Sequence, residues 1–242
     1  MIDYTEDYLL DKKIKIYQPV DGYRASSDAV LLAAAANTIK PNSKILDIGS
    51  GTGAISLCLA ERFKKFDPEI IGVELQKDLV NLANMSAEAN NFLKLKYINA
   101  DIFSSGLDFC SFDHVFSNPP YFDSNMPTSP YKGKATAHTF NEKNLKDWTD
   151  VCIKMIRPQG WFYMINRAEA LKSILNIIEN KLGDISIFPL YSKEEQCAKR
   201  IIIKAKKDSK APLNIKPPLC IHSNDGKYTS RAQDILRKGL PL

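Results

Sequence analysis

The sequence is poor in the residues that build metal and redox sites. It has three histidines and five cysteines, and the cysteines stand singly at positions 58, 110, 152, 197 and 220. No two of them have the CxxC spacing that is typical of zinc and redox motifs. We therefore expect no metal centre, and we expect Cys58 and Cys152, which fall in apolar helical patterns, to be small buried core residues.

Long apolar runs are missing as well. No stretch approaches the roughly 20 apolar residues that a membrane-spanning helix requires. The first 13 residues are acidic and polar, without the apolar core of a secretory signal. These absences predict a cytoplasmic protein with no membrane partner. The 242 residues, 44% hydrophobic and 25% charged, are enough for one α/β domain with a full core.

Apolar β-branched runs alternate with helical patterns from about residue 44 onward. The pattern predicts strands at 44–48, 69–74, 95–100, 112–117 and 161–165, and helices at 54–65, 77–91, 141–156 and 168–181. Two antiparallel strands, at 185–191 and 197–204, are expected to close the sheet. Such alternation indicates βαβ units, hence an α/β fold with a mostly parallel sheet and helices on both faces.

Three segments fall outside this alternation. A possible hairpin at 9–19 and a helix at 26–37 precede the sheet, and an aperiodic loop covers 122–139. The Lys- and Pro-rich segment after residue 205 ends in a helix-like stretch at 230–238. We predict a single domain made of an N-terminal extension (1–40), a catalytic core (41–205) and a C-terminal basic segment (206–242).

The first predicted strand leads into a glycine-rich loop, LDIGSGTG. Asp47 stands two residues before the first of three alternating glycines, Gly49, Gly51 and Gly53, with Ser50 between the first two. Glycines let the backbone bend sharply and approach a ligand, and open α/β sheets bind ligands at the carboxyl ends of their strands. A carboxylate at this position would repel a pyrophosphate and attract a sulfonium or an α-amino group. The charge therefore favours S-adenosylmethionine over a nicotinamide dinucleotide as the cofactor.

Two more acids follow strand ends. Glu74 ends the second strand, 21 residues beyond Gly53, where a carboxylate can accept both ribose hydroxyls. Asp101 follows the third strand and can accept from an adenine amino group, with Ile102 against the ring. A surface acid and a helix cap are the structural alternatives for Glu74 and Asp101.

Asn118, Pro119, Pro120 and Tyr121 follow the fourth strand. Proline fixes φ, removes a backbone donor and pushes the residue before it toward extended geometry. The carbonyls of Asn118 and Pro119 therefore stay uncommitted beside an amide that both donates and accepts. Together with an aromatic face, this arrangement suits a planar group that carries an exocyclic NH2. A strand that simply stops at a Pro-Pro turn is the alternative.

The order of these motifs resembles that of the Rossmann-like class I methyltransferases, over roughly residues 40 to 205. The resemblance implies a seven-stranded, mostly parallel sheet with one antiparallel strand. The Asn-Pro-Pro-Tyr motif resembles that of the enzymes that methylate the exocyclic nitrogen of adenine or the side-chain amide of glutamine, which implies a catalytic role for its four residues. By the same resemblance, the methionine pocket consists of Asp47, Gly49, Gly51 and Gly53, while Glu74 and Asp101 hold ribose and adenine.

Two further segments are similar to the bacterial tRNA1(Val) adenine-37 N6-methyltransferases. They are Gln18 to Ala33 and Asp225 to Thr229. The similarity implies a tRNA substrate, methylated at N6 of adenosine 37 in the anticodon loop. It also implies that Ser27 and Asp28 lie near the methionine end of the cofactor, although a helix cap explains them equally well.

The chain departs from these relatives in the loop after the Asn-Pro-Pro-Tyr motif. They often carry Ala-Arg-His there, whereas this sequence has Thr136-Ala137-His138. Lys132 and Lys134 are candidates to replace the arginine.

The net charge is +5, and it is unevenly distributed. A cluster of eight basic residues within 24 positions suggests a polyanionic partner, or else a solvated sheet edge protected by lysines. The basic cluster consists of Lys193, Lys199, Arg200, Lys204, Lys206, Lys207, Lys210 and Lys216.

Alternatives to tRNA methylation are methylation of a protein glutamine or of guanine N2 in ribosomal RNA, a nucleoside-binding module without turnover, and a nicotinamide-dependent oxidoreductase. The sequence leaves the oligomeric state open, with a monomer slightly favoured.

Overall fold

The computed structural model describes residues 2–120 and 142–242 of the chain. Strands and helices alternate through the middle of the chain, as the sequence predicts. The strands are β1 Tyr4–Leu9, β2 Ile14–Pro19, β3 Lys44–Ile48, β4 Glu69–Glu74, β5 Leu95–Asn99, β6 Phe112–Ser117, β7 Ile156–Arg167, β8 Leu182–Tyr191, β9 Ala198–Lys207, β10 Asn214–Ile215 and β11 Leu219–Cys220. The helices are α1 Ser27–Ala34, α2 Ala54–Arg62, α3 Lys77–Ala89, α4 Glu142–Met155, α5 Leu171–Ile178 and α6 Ser230–Gln233.

The main sheet has the strand order β10-β8-β9-β7-β6-β3-β4-β5, with β11 also paired to β8. Strand β9 is antiparallel to both β7 and β8, and the remaining pairs are parallel. This confirms the predicted fold class, a mostly parallel sheet with one antiparallel strand. Two-residue strands β10 and β11 are additions that the sequence did not predict.

Helices cover both faces of the sheet. Successive strand residues point to opposite faces, so Ile45 packs with residues of α1, α2 and α3, whereas Leu46 packs with residues of α4 and α5. Cys58 and Cys152 are fully buried in these two clusters, as expected.

The carboxyl ends of four strands meet at one edge of the sheet. Ile48 at the end of β3 lies opposite Val73 in β4 and Ser117 in β6, and Glu74 lies opposite Asn99 in β5. We call this side of the sheet the carboxyl edge. Ligands of open α/β sheets bind outside such an edge, so the register alone brings the loops after β3, β4, β5 and β6 together.

The N-terminal hairpin packs against α3. The amides of Lys15 and Tyr17 in β2 donate to Asn90 Oδ1 and Ser86 Oγ, both at 2.9 Å. Side chains of α3 and its C-terminus thus satisfy the unpaired backbone groups of an edge strand, which would otherwise be a site for aggregation. The hairpin begins at Tyr4, five residues before the predicted start.

Strand β7 starts earlier than predicted. It begins at Ile156, directly after α4, and its partner in β6 changes abruptly from Phe112 opposite Ile156 to His114 opposite Trp161. The residues between, Arg157 to Gly160, bulge out of the ladder. A bulge accommodates Pro158, which cannot donate to the ladder, so the predicted turn is a bulge within a longer strand.

The segment after residue 205 is integrated into the fold. Strand β9 continues to Lys207, so the predicted boundary of the catalytic core falls inside a strand. The predicted terminal helix divides into α6 and a π-helical turn, Asp234–Lys238, and Leu242 N donates to Ala34 O at 2.9 Å.

The basic cluster does not form one surface. Lys204 is 7% exposed and its Nζ lies 4.1 Å from the centre of the Trp161 ring, and burial lowers the pKa of Lys204 to about 8. Lys207 donates to two backbone carbonyls near the end of α4, at 3.1 and 2.7 Å. Since β9 rises about 3.4 Å per residue, Lys199 and Lys207 are about 27 Å apart. Lys199 lies at the carboxyl edge of the sheet and Lys207 at the opposite end of the strand.

Candidate functional site

The glycine loop follows β3 and is held against the end of β4. Gly49 N and Ser50 N both donate to Val73 O, at 2.9 and 3.1 Å, and Gly53 N donates to Ser50 O at 2.8 Å. All three loop glycines have positive φ, which L side chains rarely adopt. The loop therefore turns tightly above the carboxyl edge and leads directly into α2.

Aromatic side chains press against these glycines. A Cβ on Gly51 would lie 2.8 Å from the Tyr23 ring, and one on Gly53 would lie 2.2 Å from Tyr97 Oη. The loop thus requires glycine for its close neighbours as well as for its φ angles. Neither tyrosine stands out in the sequence, where the one signal is that Tyr23 lies in the segment that resembles the tRNA enzymes.

Asp47 is completely buried at the end of β3. Its Oδ2 accepts hydrogen bonds from both the backbone N and the Oγ of Ser56, in the first turn of α2. Burial raises the pKa of Asp47 to about 7 against these hydrogen bonds, and the negative charge of Glu74 adds to the rise. A cation bound beside Asp47 would reverse this effect, because an opposite charge favours the ionised form.

Asp47 also contributes to the pH response of the ligand-free protein. Its pKa in the folded chain exceeds the value of about 4 expected in the unfolded chain, so the folded state holds an extra proton between pH 4 and 7. Titration of Asp47 therefore lowers the free energy of unfolding as the pH rises through that window, while the buried His114, whose pKa is lowered to about 4, has the opposite effect between pH 4 and 6.5. We expect Asp47→Asn to remove the contribution of Asp47, so that the change in the free energy of unfolding from pH 5 to pH 8 differs from that of the wild type by roughly 2–4 kcal/mol.

Urea unfolding at pH 5 and pH 8 measures this difference. Asp3→Asn, at an exposed position, serves as the control and should show the same difference between the two pH values as the wild type. If the difference in the free energy of unfolding between pH 5 and pH 8 is the same in Asp47→Asn as in the wild type, the titration does not belong to this carboxyl group.

Glu74 supports the glycine loop from the end of β4. Its Oε2 accepts from Gly51 N at 3.0 Å and its Oε1 from Gln76 N at 2.9 Å. The side chain is 8% exposed. Gln76 Nε2 adds a longer bond to Oε1 at 3.4 Å. A carboxylate has about four acceptor positions, so acceptor capacity remains for a ligand beside these three bonds.

Asp101 and Ile102 follow β5 on the same edge. Asp101 is exposed and caps a short 3-10 helix, Ile102–Ser104, by accepting from Phe103 N at 3.0 Å. Ile102 is buried. The loop before it is held by Asn99, whose Nδ2 donates to Glu74 O at 3.1 Å and to Leu75 O at 2.8 Å.

The end of β6 is hydrogen-bonded to both β3 and α4. Ser117 Oγ donates to Ile48 O at 3.0 Å and accepts from Trp148 Nε1 at 2.8 Å. A Cβ on Gly49 would lie 3.1 Å from the Trp148 ring. Asn118 thus leaves the sheet beside the glycine loop, and the indole of Trp148 lies beneath them both.

Asn118 is partly exposed, Pro119 is buried and Pro120 is exposed. Within the described ranges, no residue forms a hydrogen bond with the Asn118 side chain. Tyr121, the predicted loop at 122–139 and the Thr136-Ala137-His138 stretch lie outside the described residues. The structure therefore brings three of the four motif residues to the site.

Three polar atoms of the loop are buried without a partner in the described part of the chain. They are Asp47 Oδ1, Ser50 Oγ and Thr52 Oγ1. Buried polar atoms normally form hydrogen bonds, so these atoms suit contact with a polar ligand. One carboxylate beside two hydroxyls fits a cationic group that donates hydrogen bonds, such as an amino group, and does not fit a phosphate.

The described residues contain neither a metal-binding group nor a membrane-spanning helix. No group of His, Cys, Asp and Glu side chains in residues 2–120 and 142–242 is arranged to hold a metal ion. No helix in these ranges is long and apolar enough to cross a bilayer.

The fold and the family profile define the class of protein. The family described as "Methyltransferase domain" matches residues 39–211. A predicted O-methyltransferase from Agrobacterium tumefaciens has the same fold, with a TM-score of 0.72 and 23% identity, over 89% of this chain and 98% of that one. The protein is therefore a methyltransferase with a Rossmann-like fold.

Similar sequences narrow the class. A tRNA1(Val) (adenine(37)-N6)-methyltransferase of Histophilus somni strain 129Pt is 30% identical over 169 residues, which cover 67% of this chain and 69% of that protein. The enzyme of the same name from Actinobacillus pleuropneumoniae serotype 5b is 27% identical over 219 residues, covering 88% of this chain and 89% of its own. The chain belongs to the tRNA1(Val) (adenine(37)-N6)-methyltransferase family.

Proposed function

We propose that this protein transfers a methyl group from S-adenosylmethionine to N6 of adenosine 37 in the anticodon loop of tRNA1(Val). One observation carries the proposal: the β3–β6 register holds an acid-bearing glycine loop next to Asn118 and Pro119. A pocket for a cationic donor and a set of acceptors for an amino group thus share one edge. The family of the chain supplies the substrate.

The cofactor would be held by residues of three loops. Asp47, with its unpartnered Oδ1, suits the α-amino group of the methionine part, and the loop glycines leave room for its backbone. Glu74 suits the ribose hydroxyls. Asp101 suits the adenine amino group, with Ile102 against the ring. The proposed cofactor-binding set is Asp47, Gly49, Ser50, Gly51, Gly53, Glu74, Asp101 and Ile102.

When bound, S-adenosylmethionine supplies an electrophilic methyl group on its sulfonium. The lone pair of adenine N6 is conjugated into the ring, so it is a weak nucleophile. Acceptance of both N6 hydrogens, by the Asn118 side-chain oxygen and the Pro119 carbonyl, favours a more pyramidal nitrogen with an available lone pair. Tyr121 would stack on the base, which is worth roughly 1–3 kcal/mol. No strong general base is needed, since the proton can leave after the transfer.

The target base must leave its stack to reach this edge. Bases in single-stranded loops are extruded at lower cost than paired ones, which suits an anticodon loop. A tRNA substrate implies a cytoplasmic location. We also infer that the chain is one methyltransferase domain, because the hairpin, the sheet and the C-terminal segment pack on one another.

Mass spectrometry of digested tRNA tests the proposal. In cells that lack the protein, we expect N6-methyladenosine to disappear from tRNA1(Val) and to return with a plasmid-borne copy. Loss of methylation from a protein glutamine, or from guanine N2 in ribosomal RNA, with tRNA1(Val) unchanged, would replace the proposed substrate by one of those alternatives.

A further inference from the structure

A basic cleft lies on the carboxyl edge, one strand away from Asn118. The antiparallel pair β7–β9 places Arg167 opposite Arg200 at the end of the ladder. Lys199 is the neighbour of Arg200 and is exposed. The cleft is lined by Arg167, Glu169, Gln196, Cys197, Lys199 and Arg200.

The cleft is close to Asn118 and Pro119, where we propose that the target base binds. Met164 in β7 lies opposite Ser117, the residue before Asn118. Arg167 is three residues further along the same strand, so it lies about 10 Å beyond this level and about 5 Å to the side. At this separation, an RNA strand with one base beside Asn118 can place a neighbouring phosphate in the cleft.

The charge of the cleft suits that phosphate. Three cationic side chains line the cleft, together with the carboxylate of Glu169. A second carboxylate, that of Asp28, lies 3.3 Å from Arg200 Nε and orients its guanidinium. Lys199 forms no ion pair within the described ranges.

We infer that this cleft binds the phosphate backbone of the tRNA beside the target adenosine, and that Lys199 makes one of the phosphate contacts. The inference rests on the proposed function. It also assigns different roles to the members of the basic cluster: Lys199 and Arg200 contact RNA, whereas Lys204 and Lys207 hold β9 in the fold.

The cysteines of the chain provide a direct footprint of the cleft. Cys197 and Cys110 are both exposed, but Cys197 lies in the cleft and Cys110 lies before β6, at the opposite edge of the sheet. Burial raises the pKa of both the Cys58 and the Cys152 thiols, so these two react slowly. Iodoacetamide alkylation, followed peptide by peptide with mass spectrometry, compares the two exposed thiols in one experiment.

An unmodified tRNA1(Val) transcript at ten times its Kd should slow alkylation of Cys197 about tenfold, because about a tenth of the protein remains free. Cys110 should react at the same rate with and without the transcript. Equal protection of both thiols would overturn the inference, as would protection of neither while the same protein methylates the transcript. The latter outcome leaves the proposed function standing, whereas a protein that neither binds nor methylates the transcript refutes both.

A pair of variants gives a second measurement. Lys199→Gln should raise KM for tRNA and leave kcat unchanged, and it should reduce the salt slope of log Kd by about one. Lys65→Gln, at an exposed position in the turn after α2 on the opposite edge, should match the wild type in both respects. An unchanged salt slope in Lys199→Gln, or an equal change in Lys65→Gln, would overturn the assignment to Lys199.

Discussion

Replacing Asn118 by alanine should lower kcat for tRNA methylation by about 10²- to 10³-fold or more, the range found when one hydrogen-bonding group that stabilises a transition state is removed. The physical reason is that Asn118 would accept an N6 hydrogen as the nitrogen becomes pyramidal. The affinity for S-adenosylmethionine should stay within a few fold of the wild type, because the proposed cofactor set lies in the loops after β3, β4 and β5. Turnover assays and isothermal titration calorimetry measure the two effects separately.

Asn118→Asp is the matched variant. Its side chain keeps an acceptor oxygen at nearly the same position, so we expect more residual activity than in Asn118→Ala. A parallel loss of turnover and cofactor affinity in Asn118→Ala would contradict the proposed role, because it would indicate that the residue supports the pocket as a whole.

Replacing Glu74 by alanine should weaken S-adenosylmethionine binding by about 10²- to 10⁴-fold, since each of two hydrogen bonds to a charged group contributes about 1.5–3 kcal/mol. The change also leaves the Gly51 and Gln76 amides without their acceptor. Calorimetry with S-adenosylhomocysteine gives the loss directly. Glu69→Ala, at the opposite end of the same strand, is the control and should bind as the wild type does.

An analogue of S-adenosylhomocysteine without ribose hydroxyls separates the two roles of Glu74. If the carboxylate binds the ribose, this analogue binds the wild type weakly and loses little further affinity in Glu74→Ala. If Glu74 only holds the glycine loop, both ligands lose affinity equally, and the proposed ribose contact is wrong.

The central strands follow from the sequence because each is a short apolar run. The bounds of β3, β4 and β6 agree with the prediction to the residue. Strands β10 and β11 were missed because two residues carry no periodicity, and they form only where β8 offers an unpaired neighbour. The bulge after α4 was read as a turn because Pro158 and Gly160 are typical of both.

The residues of the site also differ in whether the sequence reveals them. Asp47, the loop glycines and Asn118 could be proposed from the sequence because their chemistry is unusual at strand ends. Trp148, Tyr23 and Ser56 were missed because each resembles an ordinary core, surface or helix residue in the sequence. Trp148 and Tyr23 reach the glycine loop from α4 and from the segment after β2, which are distant in the chain, whereas Ser56 bonds Asp47 from the first turn of α2.

The order of the motifs along the chain was enough to predict the class of fold, the cofactor and the family, because these depend on residue types at local spacings. The complete burial of Asp47 and the division of the basic cluster between two edges of the sheet are visible only in the folded chain. Strand register and burial fix both properties, and they arise from contacts between residues far apart in sequence.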